Sequence, residues 1–342
     1  MKKRSVSSFL KEYMMFFVLI GAIAVFSILV PIFANGRAFL NAQTLLNILG
    51  QNAYLVIIGI GVTFIMLGGG MDLSTGYLVS TVGVCMALID KASGNFIITL
   101  VCGILLSVLI SAFNGAVYAW LKVFPFIITL ATQYVLSGAT YLLSGGKTAT
   151  YRDLSDWFTV LGGKYIKIGE NASFKSGIIV MIVMVIIGSF ILNKTYLGRN
   201  IYALGSNPDA VALSGVSVSK MRIIVFALAG FFFGVAQVVN IGNIKSMNNS
   251  MGVGAEFTAM AGAMLGGVKM GGGGGKMSNM VIGVLIIGVL NSGMNYLNLS
   301  QYWQNVALGV VLLAAIILDT MQTNAAIKSA KKVPGQAPAK EG

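Results

Sequence analysis

The chain has 342 residues, of which 56% are hydrophobic and only 10% charged, and its mean hydropathy is +0.86. A soluble domain carries about 25% charged residues, so this composition describes an integral membrane protein. The formal charge of +13 sits at the ends of apolar runs, as the positive-inside rule favours, and not on the wettable, clustered face of a nucleic-acid binder. The chain contains no histidine, which removes the usual zinc, haem and general-base chemistry, so neither metal nor cofactor is expected. Cys85 and Cys102 lie within apolar runs and read as small core residues.

In chain order, the basic start MKKRSVSSFLKEY has no small-residue cleavage site before the apolar run that follows. It reads as a cytoplasmic tail over residues 1–12, not a cleaved signal peptide. A span needs about 20 apolar residues. Candidates lie at residues 13–33, 44–67, 73–89, 96–121, 126–143, 177–192, 221–241, 256–268, 277–297 and 303–319. The expected fold is all-α and integral to the membrane, with about ten transmembrane helices over residues 13–320. The third and eighth are short enough to be broken or re-entrant.

LGGGMDLSTG joins the second and third candidates. Gly68, Gly69 and Gly70 loosen the helix, and Asp72 or Ser74 is placed to cap the one that follows. Structural capping is the preferred role for Asp72; an ion-coupled transporter would use such an acid as a proton or sodium site. A second break, GGVKMGGGGGKM at residues 266–277, contains Gly271 and Gly275. The two breaks hint at an internal repeat, although the amides that follow them, Asn114 and Asn291, are differently spaced. Asn114, Gln237, Asn291 and Asn295 interrupt apolar runs. They suit helix–helix hydrogen bonding first and, second, pore lining for a hydroxyl-rich solute. Glu256 opens a span at the outer edge and is expected to cap it. GGGGGKM and LLSGGKT mimic phosphate loops, but Met270 and Tyr141 stand where a Walker A loop needs glycine, so neither is expected to bind ATP.

With ten crossings and the N-terminus inside, 15 of the 23 Lys and Arg residues fall on inner segments and 8 on outer ones. Five of those 8 share one outer loop, residues 144–176, which also carries Asp153, Asp156 and Glu170. Both termini are therefore expected in the cytoplasm, and residues 321–342 read as a disordered basic tail. The polar stretch 194–220 is expected on the same side. Within it Asn207 can N-cap a short helix that starts at Pro208, runs through Ala210, Ala212 and Leu213, and ends at Gly215. A short helix displayed on the aqueous face reads as a docking element.

Several motifs resemble one family together. GMDLSTG at residues 70–76, PFIITLATQYVLSGATYLLSGGKT at 125–148, LGRNIYALGSNPDAVALSG at 197–215, and NSGMNYL with SQYWQ at 291–304 are similar to segments of ABC importer permeases of the ribose/xylose/galactose type. The resemblance covers residues 43–319. Val211 stands where the family has alanine, Thr258 where an acid is common, and GGVKMGGGGGKM replaces a G-G-T-S-x-x-G-G-x-G pattern.

The resemblance implies a non-enzymatic, multi-pass subunit in the cell membrane of a prokaryote. It implies two permease copies, identical or paired, forming the pore in the lipid bilayer. A tandem ABC ATPase subunit would hydrolyse ATP, and an extracytoplasmic sugar-binding protein would deliver a monosaccharide; no nucleic acid partner is implied. Arg199, Tyr202, Gly205, Asn207, Asp209, Ala210, Ala212, Leu213, Ser214 and Gly215 would form the segment coupled to the ATPase. The alternatives are a permease for branched-chain amino acids or nucleosides and, in another class, a stand-alone ion-coupled secondary transporter. A membrane enzyme is disfavoured, because no histidine, paired carboxylate or activated nucleophile is visible.

Overall fold

A computed structural model describes residues 6–34, 38–148, 154–169 and 172–331, with the side chains of 6–13 and 322–331 left aside. Lys2, Lys3, Arg4, Arg37, Arg152, Asp153, Glu170 and residues 332–342 lie outside the described residues. The helices are α1 (Val6–Phe33), α2 (Ala42–Leu67), α3 (Thr75–Ser93), α4 (Phe96–Leu121), α5 (Pro125–Ser144), α6 (Asp156–Gly162), α7 (Gly177–Lys194), α8 (Tyr196–Ser206), α9 (Pro208–Leu213), α10 (Val218–Ile244), α11 (Ala255–Leu265), α12 (Met277–Tyr296) and α13 (Gln301–Lys331). Strands β1 (Tyr165–Ile168) and β2 (Ala172–Lys175) pair antiparallel, with Tyr165 opposite Lys175.

Among the described residues, eight helices are long and apolar enough to cross a membrane: α1, α2, α4, α5, α7, α10, α12 and α13. The other two expected spans correspond to α3 and α11. α3 carries Thr75, Ser80, Thr81 and Asp90 on buried positions, which lowers its apolarity. α11 has 11 residues and is about 16 Å long at the rise of an α-helix, roughly half of a hydrocarbon core. α1 is already helical at Val6 and α13 continues through Lys331, while the apolar spans within them run over Met14–Phe33 and Gln301–Met321. The alanines before Lys328 favour helix, so α13 extends beyond its apolar span.

The bundle is centred on α2 and α10, the most buried of the long helices. Phe64 of α2 stacks on Phe232 of α10, ring centroids 5.7 Å apart. On its other side α10 meets α4 along small residues: Ser107 Oγ donates to Gly230 O at 2.6 Å and Ser111 Oγ to Phe226 O at 2.7 Å. A Cβ on Gly230 would lie 2.7 Å from the Ser107 carbonyl. Such contacts, not hydrophobic squeezing, hold helices together in lipid. α1 packs on α12 through a smaller cluster of Phe26, Val30, Phe39 and Val289.

Residues 144–176, expected only as a loop, contain α6 and the hairpin. The hairpin is fastened to the bundle: Gln43 of α2 donates to Ser173 O at 3.0 Å and accepts from Ser173 N at 2.9 Å. The Lys175 ammonium donates to Asn243 Oδ1 of α10. Asp90 at the end of α3 accepts from Ser155 N at 2.9 Å and Trp157 Nε1 at 3.0 Å, which fixes α6. The alternating Tyr-Ile-Lys-Ile before Gly169 (φ 64°) is the signal from which a strand could have been read.

Candidate functional site

At the end of the bundle opposite the hairpin, α8 and α9 form a helix–turn–helix. Asn207 caps α9 as expected: it is extended, accepts from Ala210 N at 3.0 Å, and is followed by Pro208 in the first turn. Gly215 ends the unit at φ 84°, a conformation that favours glycine. Asp209, Ala210, Ala212 and Ser214 are exposed, and Leu213 is 90% exposed. Val211, the departure from the family pattern, is 4% exposed and anchors α9 against α10. The larger side chain therefore faces inward and leaves the outer face unchanged. Arg199 is exposed, its guanidinium 5.6 Å from the Tyr196 ring centre.

The inner face of α8, Ile201 and Leu204, is buried. Beside it the structure joins three glycine motifs that are far apart in the sequence. Gly205 lies against Gly69 of the first break and Gly272 and Gly273 of the second. A Cβ on Gly205 would collide with the Leu67 carbonyl and come within 2.5 Å of Gly273 N. Gly273 N donates to Leu67 O at 2.9 Å, and Tyr202 Oη donates to Gly275 O at 2.8 Å. Burial raises the Tyr202 pKa, which keeps the phenol a donor. The residues read as coupling positions and those read as helix breaks therefore form one junction.

The first break is closed by side chains. Asp72 is 3% exposed; its Oδ1 accepts from Ser74 N at 2.8 Å and Ser74 Oγ at 2.6 Å. Asn114 Nδ2 donates to Ser74 Oγ at 2.9 Å, and Thr132 Oγ1 donates to Asn114 Oδ1 at 2.7 Å. Ser74 holds the N-cap position of α3 but makes no side-chain cap bond, because its hydroxyl is occupied by Asp72 and Asn114. Among the described residues, Asp72 Oδ2 has no hydrogen-bond partner. Glu256 stands in the first turn of α11, 1% exposed and beside Gly76, and reaches back to accept from Gly254 N at 3.0 Å.

Of the candidate pore-lining amides, Asn114 and Gln237 have 0% exposure. Gln237 Nε2 contacts the sulfurs of Met247 and Met251 at 3.2 and 3.7 Å. Asn295 Oδ1 accepts from Gln304 Nε2 at 2.6 Å, joining α12 to α13. Asn291 borders a polar cavity of about 210 Å³ that also touches α2, α11 and α13. The sequence reading missed the α13 wall of this cavity. Its Gln301, Gln304, Asn305 and Leu308 fall at i, i+3, i+4 and i+7, the spacing of one helical face.

Residues 44–316 match the family model described as the branched-chain amino acid transport system / permease component. The ribose import permease protein RbsC of Haemophilus influenzae is 33% identical over 316 residues, 92% of this chain and 94% of that protein. The D-allose transport system permease protein AlsC of Escherichia coli is 32% identical over 92% of this chain and 93% of its own length. The galactose/methyl galactoside import permease protein MglC of Escherichia coli is 30% identical over 94% of this chain and 98% of its own. No solved structure matches the chain at comparable significance. Permease components of ABC importers work with an ATPase and a binding protein and are not themselves catalytic. The chain is a multi-pass protein of the bacterial inner membrane and belongs to the family of ABC importer permeases that includes those for monosaccharides.

Proposed function

We propose that this chain is the membrane-spanning subunit of an ATP-driven importer, and that it carries a ribose-like pentose or a hexose into the cell. Two copies, or this chain and a paired permease, form the pore with both termini in the cytoplasm. A tandem ATPase subunit docks on α8–α9. The observation that carries this reading is the junction at Gly205: an exposed helical unit rests by backbone contact on both breaks in the bundle. A push on α9 is delivered to the ends of α2 and α12 together, which is coupling by rigid-body movement. The relatives described above are named as permeases for ribose, allose and galactose, and this supports a monosaccharide over an amino acid.

The test is co-expression with the tandem ATPase, followed by replacement of residues 207–215 with a Gly/Ser linker of equal length. Loss of the complex, or of ATPase activity stimulated by loaded binding protein, is the expected result. An intact, fully stimulated complex would refute docking at α9. The family description keeps branched-chain amino acids as a second reading, and binding of D-ribose, D-galactose and L-leucine to the cognate binding protein separates the two.

A further inference from the structure

The polar cavity between α2, α11, α12 and α13 belongs to neither the coupling junction nor the Asp72 network. It lies where Gly254, at φ 88°, and Ala255 open α11. It faces Tyr54, which is about 18 Å along α2 from its first residue. Its volume of about 210 Å³ is that of roughly seven waters in the liquid.

The chemistry of its wall is specific. No hydrogen bond from the Tyr54 hydroxyl or the Asn291 amide reaches another described residue. Gln304 is 5% exposed and uses its Nε2 on Asn295, which leaves its carbonyl oxygen available. Asn305 accepts from Gln301 Nε2 at 3.4 Å and keeps its amide N–H groups. Thr258 Oγ1 donates to Gly254 O at 3.1 Å and keeps its acceptor lone pairs. The cavity thus offers donors and acceptors side by side, and among the described residues no carboxylate, ammonium or guanidinium lines it. A sugar hydroxyl both donates and accepts, and suits such a wall. A zwitterion would have to shed its hydration there without a counter-charge, which is strongly unfavourable.

We propose that this cavity is a hydroxyl-binding subsite on the solute path, and that its uncharged amide lining selects neutral polyols over amino acids. The proposal rests on the monosaccharide reading above, and its test is arranged so that the two fail separately. Cells expressing the chain with its ATPase and binding protein are assayed for uptake of radiolabelled D-ribose, D-allose, D-galactose and L-leucine. Tyr54→Phe removes one hydroxyl with little change of shape, and Gln304→Leu removes the amide. Each should lower uptake of the preferred sugar about three- to tenfold and alter the preference among the three sugars. The amount of purified complex should stay level, which a merely structural role would not combine with altered preference. If Gln304→Leu lowers the amount of complex, Asn305→Ala, at an exposed position, carries the same expectation without disturbing packing. Sugar uptake with unchanged rate and preference in Tyr54→Phe and Asn305→Ala would overturn the subsite and leave the monosaccharide reading standing. Uptake of leucine and of no sugar by the unaltered chain would overturn both.

Discussion

At the first break, residues 68–74, side chains hold the chain: Asp72, Ser74 and Asn114 form a closed network, and Thr129 Oγ1 accepts from Leu73 N at 3.1 Å. At the second, residues 266–276, backbone groups bond mainly to one another, with Tyr202 Oη donating to Gly275 O and Asp319 Oδ2 accepting from Met270 N as the side-chain contacts. Lys269 N donates to Gly274 O at 2.8 Å and Gly272 N to Lys269 O at 3.2 Å, with Val268 N to Ala263 O at 2.9 Å. The difference follows from solvent. Asp72 and Ser74 are buried, so freed backbone groups need internal partners. Lys269, Met270 and Gly271 are exposed, and water can satisfy what the turn leaves open. This explains why a glycine run can replace the family's Thr-Ser pattern at the second break. The Asp-Leu-Ser at the first has no such freedom.

The largest effect is expected where the two breaks touch. Gly205→Val would force a side chain onto Leu67 O and Gly273 N. It should cost about 3 kcal/mol or more and remove transport. A thermal midpoint in detergent within a degree or two of the parent would contradict the close packing of the junction. Next comes Asp72→Leu, which strands two buried donors of Ser74 at about 2–3 kcal/mol. Asp72→Asn preserves the acceptor, so it should stay within about 1 kcal/mol and transport should persist. Loss of uptake with normal stability in Asp72→Asn, with uptake driven by an ion gradient in the absence of ATP, would turn the first break into an ion site.

At the second break the expected effects shrink and depend on position. Gly273→Ala places a methyl on Ser206 at φ 70° and should lower stability by about 1–2 kcal/mol. Gly271→Ser meets no atom within 4 Å and needs no positive φ, so a thermal melt should move by less than about 0.5 kcal/mol equivalent. Equal losses at both glycines would mean that the loop is held along its whole length and not at Gly272–Gly273 alone.

Leu213 and Val211 sharpen the same contrast on α9. Leu213→Ser should leave stability within about 0.5 kcal/mol yet weaken capture of the ATPase, because the side chain is 90% exposed. Val211→Ala should do the reverse, costing about 1 kcal/mol from the bundle with the docking face intact.

Much of this was legible before any fold was seen. Long apolar runs have one stable form in lipid, so the helices and most of their limits followed from composition and length. Asn207-Pro208 and Gly215 carry local φ preferences, so α9 could be placed to the residue. Local signals also marked both glycine breaks. They could not show that Gly69, Gly205 and Gly272 meet, since a glycine's missing Cβ matters only to whatever backbone approaches it. Nor could they bring Tyr54, Thr258 and Asn291 to the face made by Gln304 and Asn305. Those side chains come from four helices, and only packing decides which faces of a uniformly apolar bundle turn toward one another.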